Sequence, residues 1–466
     1  MEGTAQQNKP AFNRTTLVAV LLSGAFAAIL NQTLLATALP EIMADLHIDE
    51  NTAQWLQSIF MLVNGIMIPI TAFLIETFTT RRLFLTAMGL FALGTLLCAI
   101  APSFLVLLAG RVVQAAGAGI MMPLMQTVFL FIFPFEKRGS AMGMVGLIIA
   151  FAPAIGPTLS GWVVEHFDWR YLFYIILPIA ILDLIIAYFV LKNVTKQTFP
   201  KVDVLSIILS TLGFGGILYG FSIAGNAGWS SVEVLIGMVV GVLSLIWFII
   251  RQFQLEQPIL EFRVFKYNIF TLTTILGCVV FVSMIGAAVI LPLYMQNMHH
   301  FTPLESGLML LPGAIIMGAM SPITGRIFDK VGAKWLTIVG LSIVTITTFL
   351  FTNLSTTTSF TFLTIAHAFR MLGISMVMMP VTTAGLNQLP NRLIPHGTAM
   401  NNTMRQVAGS VGTALLVTIM TTGATSQTPE GMIDGVNLSF IVAAALSVIA
   451  LIMAFFIKRT TPEEEK

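Results

Sequence analysis

GRVVQAAGAGIMMP, residues 110–123, sets an arginine inside an apolar helix, and FRMLGISMVMMP, residues 369–380, does the same in matching surroundings. Each Met-Met-Pro is followed by a loop and then by GSAM (139–142) or GTAM (397–400). Arg111 and Arg370 lie 259 positions apart, Pro123 and Pro380 257, and Gly139 and Gly397 258, so the register holds across the whole stretch. The chain carries an internal repeat. A guanidinium at membrane depth costs roughly 2.5–3.5 kcal/mol on insertion scales, and a cost met twice at equivalent places points to function or to defined packing.

The composition agrees with a membrane setting. Of the 466 residues 56% are hydrophobic and only 9% charged, with a mean hydropathy of +0.91, whereas a soluble domain carries about a quarter charged residues. We expect an all-α integral membrane protein forming one membrane domain. The first 16 residues are polar and include Lys9 and Arg14, and the apolar stretch after them lacks a small-residue cleavage site, which predicts a retained first helix. Cys98 and Cys278 lie within apolar runs with no His or Cys at ligand spacing, so neither a disulfide framework nor a metal site is expected. No phosphate-binding loop, HExxH helix or GxSxG elbow occurs, and the Gly117-x-Gly119 pair does not follow a strand. We therefore expect no enzyme, no catalytic residue, no cofactor and no nucleic-acid partner, and an ion gradient as the energy source.

A helix needs roughly 20 apolar residues to cross the hydrocarbon core. Fourteen spans fit: 16–39, 55–75, 83–101, 104–132, 139–165, 171–191, 204–223, 232–251, 269–293, 306–327, 334–352, 358–387, 398–422 and 437–457. Charge placement tests the count. Of 23 Lys and Arg, Arg111, Arg370 and Arg405 fall inside spans and Arg170 follows an odd-numbered helix, while the other 19 lie at the termini or after even-numbered helices. Cationic loops stay in the cytoplasm, which predicts cytoplasmic termini. The expected organisation is a cytoplasmic tail at 1–15, a six-helix half at 16–191, a linker with inserted helices 7 and 8 at 192–268, a second six-helix half at 269–457 and a tail at 458–466. Two such halves form an arrangement in which substrate binds between them and access alternates by rocking.

Several motifs resemble those of the major facilitator superfamily, in particular its 14-helix drug:proton antiporter branch with the EmrB/QacA-type and lincomycin-resistance exporters. In AFAPAIGPTLSGW, Pro153, Gly156, Pro157 and Gly161 match the antiporter motif of helix 5. Two prolines four apart each remove a donor and the glycines allow close approach, giving a bent, tightly packed helix able to pivot. In LLAGRVVQAAGAG, Arg111, Gln114, Gly117 and Gly119 follow the arginine motif of helix 4, for which the resemblance implies proton transfer or cavity organisation; structural hydrogen bonding is the other reading. The hairpin AFLIETFTTRRLF resembles the gating motif through Glu76, Arg81 and Arg82, with Thr79 in place of a glycine. GRIFDKVGAKW keeps that pattern more fully through Gly325, Asp329, Lys330, Gly332 and Lys334. An acid facing bases across a short turn forms a charge cluster that holds one state, or the turn is simply solvated.

Helix 1 departs from the branch. LNQTLLATALP matches its motif, yet Asn31 stands where many relatives carry an aspartate, and an amide cannot take up a proton. Asp183, about twelve residues into helix 6 and so roughly 18 Å deep, becomes the candidate carboxylate for proton coupling, with His367, Arg111 and Arg370 beside it as coupling candidates. For His367 a satisfied core histidine is the alternative. The resemblance implies that helices 1, 4, 9 and 12 line the cavity, which offers Asn31, Gln32, Gln114, Met121, Met122, Met125, His367 and Arg370 as lining residues. Methionine is adaptable enough for varied lipophilic shapes, or it simply fills the core. Arg405 and Gln406 on helix 13 are expected to pack among small residues.

Three interior arginines against one aspartate disfavour organic cations. The expectation is a multidrug exporter that moves lipophilic neutral, zwitterionic or weakly acidic amphiphiles by proton antiport through alternating access. The other reading is an exporter or flippase of an endogenous lipid, envelope precursor or metabolite. The expected partners are small amphiphilic drug-like substrates, protons and the lipid bilayer, the expected state a monomer, and the expected site a bacterial plasma membrane.

Overall fold

The computed structural model describes residues 13–426 and 428–458; apart from residues 13–15 and Lys458, the two expected tails lie outside the described residues. Fourteen long α-helices and four short 3-10 turns account for the regular structure there, without a strand. The helices are α1 (Arg14–Leu46), α2 (Glu50–Thr77), α3 (Thr80–Ala99), α4 (Phe104–Ile132), α5 (Arg138–His166), α6 (Tyr171–Val190), α7 (Val204–Ala227), α8 (Val232–Gln254), α9 (Asn268–Asn297), α10 (Pro303–Val331), α11 (Ala333–Leu350), α12 (Phe360–Leu386), α13 (Ile394–Thr422) and α14 (Pro429–Ala454). Thirteen of them are long and apolar enough to cross a membrane by length and composition. The one that falls short is α13, whose middle carries Asn401, Asn402, Arg405 and Gln406. Its length is ample at 29 residues, and it lies among α2, α4, α7, α9 and α14, where polar groups find partners inside the bundle.

Polar N-cap residues start seven of the fourteen helices, among them α2 and α10. Asp49 starts α2 by accepting from Thr52 N at 2.7 Å, and Thr302 with Glu305 forms a reciprocal capping box ahead of α10, with Pro303 in the first turn. At the other extreme α1 runs through Pro40 to Leu46 rather than stopping at 39, and ends at His47 in a left-handed conformation.

The pairings within α1–α6 recur within α9–α14. α3 packs on α4, α2 on α4, α1 on α5, and α3 on α6; correspondingly α11 packs on α12, α10 on α12, α9 on α13, and α11 on α14. Two seams join the sets, α5 along α10 and α2 along α13. Along the first, glycines bring backbones into contact: a Cβ on Gly325 would sit 2.3 Å from the Gly139 carbonyl oxygen, and one on Gly143 2.6 Å from that of Ser321. Helices α7 and α8 pack on each other through Gly216 and Gly241, and α7 also lies against both α2 and α13. At its start Asp203 accepts from Arg251 Nε at 2.7 Å and Nη2 at 2.9 Å, and this guanidinium pulls the carboxyl down to about 2.

The bundle has a proximal end, where α1, α5 and α13 begin and α14 finishes, and a distal end, where α2 and α8 begin. Arg170, the basic residue that follows an odd-numbered helix, lies distally, tied to Asp45 at 2.9 Å and to the Ala101 carbonyl at 3.0 Å.

Candidate functional site

In the distal half a cavity of about 370 Å³ opens between α1, α2, α7, α9 and α13. Its wall is apolar and aromatic, through Trp55, Met61, Leu62, Tyr219, Phe221, Phe281 and Ile285, with Gln32, Ser58, Ser222, Gln406, Ser410 and Thr413 as polar points. None of the lining side chains is charged. Trp55 and Tyr219 stack with centroids 5.8 Å apart. Trp229, just past α7, donates to Thr418 Oγ1 on α13 at 2.9 Å while its ring meets Phe221 edge-on. Helix α7, one of the pair read from sequence as an insertion, therefore supplies one wall of the cavity. That role left no local signal, since Tyr219 and Phe221 read as ordinary apolar positions of a span.

Of the residues expected to line a cavity, Gln32 does so here. Asn31 is buried beside it with Nδ2 unpartnered; Met121 and Met125 are buried in the core and Met122 is half-buried. Arg111 and Arg370 are fully buried. Arg111 donates through Nε to the Leu56 carbonyl at 3.1 Å and through Nη1 to Gln114 Oε1 at 2.8 Å, and its guanidinium lies 4.2 Å from the Phe60 ring centroid. Gln114 passes the chain on to Thr95 Oγ1 at 2.7 Å. Arg370 donates from Nε to Thr348 Oγ1 at 3.3 Å and from Nη2 to the Ser283 carbonyl at 2.7 Å and Oγ at 2.5 Å. Each keeps one buried nitrogen without a partner, Nη2 of Arg111 and Nη1 of Arg370, and neither meets a carboxylate among the described residues. His367, one turn before Arg370, packs on Gly313 of α10, its Nδ1 unpartnered.

Asp183 sits on α6 against α1 and α3, away from the cavity. Ser23 Oγ donates to its Oδ1, Oδ2 has no partner, and Gly24 and Met88 close the space around it. In α5 the helix continues through Pro153 and Pro157; Gly156 receives Thr33 of α1, whose Oγ1 would lie 2.1 Å from an added Cβ, while Gly161 faces open space.

The hairpin acids act across the seams and not across their own turns. Asp329 accepts from Gly139 N at 2.7 Å, from Ser140 N at 2.9 Å and from Ser140 Oγ, so it caps the N-terminus of α5. Glu76 meets His396 Nε2 at 3.0 Å at the start of α13, while the backbone N–H of Glu261, in the linker after α8, reaches His396 Nδ1 at 3.3 Å. Arg138 donates to Asn387 at 3.0 Å, and Asn402 to Gln126 at 2.7 Å. Arg81 lies over the Tyr188 ring at 4.7 Å; Arg82, Lys330 and Lys334 are exposed and form no ion pair among the described residues. Arg405 donates from Nη1 to Thr382 Oγ1 at 3.2 Å and Asn401 Oδ1 at 3.4 Å, and its neighbour Gln406 stands in the cavity wall.

The profile of the Major Facilitator Superfamily matches residues 21–413. The chain belongs to this superfamily. It is 58% identical over 460 residues to the uncharacterized MFS-type transporter YcnB of Bacillus subtilis, covering 98% of this chain and 97% of that one. It is 45% identical over 473 residues to the lincomycin resistance protein LmrB of the same organism, covering 98% of each. The solved proton:xylose symporter XylE superposes with a TM-score of 0.69 at 14% identity, over 96% of both chains, and so shares the fold. The protein is a multi-pass membrane transporter of the drug-exporter branch, not an enzyme. Its cavity lies between α1 and α2 on one side and α9 and α13 on the other, with α7 beside them, and the Asp329 and Glu76 contacts lie at the proximal end.

Proposed function

We propose that the protein is a bacterial plasma-membrane exporter that carries lipophilic neutral, zwitterionic or weakly acidic compounds outward in exchange for protons. The observation that carries this reading is the uncharged, aromatic cavity open in the distal half while Asp329 and Glu76 hold the proximal end closed. With cytoplasmic termini, as the loop charges suggest, this is an outward-facing arrangement, and rocking of residues 16–191 against 269–457 exchanges it for an inward-facing one. A cavity of this size fits a drug-sized ligand, and a wall without a carboxylate gives an organic cation nothing to pair with. Asp183 is our candidate for the exchanging proton, because one oxygen of a buried carboxyl is left without a partner and Asn31 carries no proton of that kind. Arg111, Arg370 and His367 would set the packing that this exchange biases.

Substrate-induced proton release from the reconstituted protein tests the reading. An uncharged lipophilic dye serves as the probe of the proposed class, and lincomycin, suggested by the resistance relatives, as the second. Release on substrate addition that disappears in Asp183→Asn is expected; preferred transport of quaternary ammonium dyes would sink the substrate class, and coupling that survives in Asp183→Asn, His367→Gln and Arg111→Ala alike would sink the coupling assignment.

A further inference from the structure

Three arginines are buried in the bundle, and Arg405 differs from the other two. Arg111 and Arg370 are 0% exposed, each with two of its three nitrogens engaged, whereas Arg405 retains 4% exposure. Only its Nη1 is hydrogen-bonded among the described residues. Nε and Nη2 have no protein acceptor, yet they are not among the sealed, unpartnered atoms as Nη2 of Arg111 and Nη1 of Arg370 are. The guanidinium lies 5.5 Å from the ring centroid of Phe281, and Phe281 is part of the cavity wall. The next residue, Gln406, and Gly409 one turn further on also belong to that wall; a Cβ on Gly409 would come within 2.7 Å of Phe281 Cε1. One aromatic ring thus touches both the cavity and a buried cation that has two free donors and no carboxylate partner.

We propose that Arg405 is the acid-binding group at the floor of the cavity, with Phe281 as its screen, and that preferred substrates present a carboxylate or similar oxyanion to it. This rests on reading the cavity as the substrate site. A guanidinium offers a planar fork that matches a carboxylate with two parallel bonds, and a cation left unpaired in a dry interior gains most from a ligand that brings the missing charge. The ring of Phe281 shields the cation from the uncharged wall until a substrate displaces it, and the apolar body of the substrate then fills the space up to Trp55 and Tyr219. Gln406 adds a neutral donor beside it. This assigns Arg405 a contact with substrate beyond packing among small residues.

A matched pair of probes tests the assignment: 4-(1-pyrenyl)butyrate and its primary amide, titrated onto the full-length protein in nanodiscs and followed by pyrene fluorescence. We expect the carboxylate to bind about tenfold more tightly than the amide, as a charge-assisted pair in a dry site should. In Arg405→Gln that ratio should fall to about one, and in Arg405→Lys it should recover in part. Phe281→Ala, which removes the screen, should keep or widen the ratio, and amide binding retained in Arg405→Gln guards against a variant that merely misfolds. A ratio unchanged in Arg405→Gln, or a wild-type ratio of one, overturns the role of Arg405 while leaving the cavity reading standing. A wild type that binds neither probe overturns both.

Discussion

The seam between α5 and α10 and the seam between α2 and α13 occupy equivalent places in the repeat, and they are built from different materials. Along α5–α10, Gly139 and Gly143 face the backbone of Gly325 and Ser321, so backbone meets backbone. Along α2–α13, where α7 also leans in, the contacts are made by side chains: a Cβ on Gly65 would meet Cδ1 of Leu218 on α7 at 2.3 Å and Cγ of Gln406 on α13 at 3.7 Å. The cavity opens on this second seam, propped by α7. Repetition set the positions of the helices, and the size of the residues on each face decided which seam closes backbone to backbone and which leaves a cavity. The proximal latches differ in the same way. Asp329 binds a helix N-terminus directly through three donors, whereas Glu76 reaches α13 through one imidazole.

The largest expected effect comes from forcing the tight seam apart. Gly325→Val places its Cβ against the Gly139 carbonyl oxygen, a backbone atom that cannot rotate away, and should cost the closed proximal state about 3 kcal/mol, roughly a hundredfold in population. Spin labels at Lys137 and Lys330 would report it as a shift to longer distances. Gly65→Ala on the other seam meets only side-chain atoms, the flexible end of Leu218 and Gln406 Cγ, and should move the same equilibrium by less than about 1 kcal/mol. Equal effects from the two substitutions would end the contrast.

The latches come next. Asp329→Ala strips the α5 N-terminus of a charged acceptor and should shift the same label pair by about 2 kcal/mol, near thirtyfold. Glu76→Ala removes a single contact and should shift labels bridging α2 and α13 by about 1 kcal/mol, near fivefold. If Glu76→Ala has the larger effect, the weight given to the direct helix cap is misplaced.

Much of this was legible in the chain. Hydropathy and loop charge are local quantities, so the spans stood out, and the cost of burying Arg111 and Arg370 marked the repeat before any contact was known. Asp329 was legible as a hairpin acid, but its partners Gly139 and Ser140 were not, since they lie some 190 positions away. Glu76 and His396 are 320 apart, and nothing near His396 distinguishes it from a helix-start histidine. Of the bases expected to face these acids, Arg82, Lys330 and Lys334 stay in solvent and Arg81 lies over Tyr188, because each acid turns to the opposite helix set. Lining by α7 escaped for a different reason: on a membrane helix, an aromatic side chain that faces lipid and one that faces a cavity look the same in sequence.

The smallest effect isolates the prop. Asp203 and Arg251 pin α7 to α8, and α7 touches the α2–α13 seam but not α5–α10. The folded-state carboxyl of Asp203 is depressed to about 2 from an ordinary value of 3.8. A depressed carboxyl contributes stability that is fully present above its unfolded value, near pH 4, and is lost as the pH falls through about 2. Both partners are partly exposed, so the contribution is modest. Asp203→Asn should lower the melting temperature by about 2 °C at pH 7, and this deficit should vanish toward pH 2, where the wild type has lost the same interaction. The labels at Lys137 and Lys330 should not respond, while substrate affinity at the cavity should fall slightly as α7 loosens. A deficit that persists at pH 2 would mean the side chain holds α7 by packing and not by charge. A response at the α5–α10 labels would mean that the two seams are mechanically one.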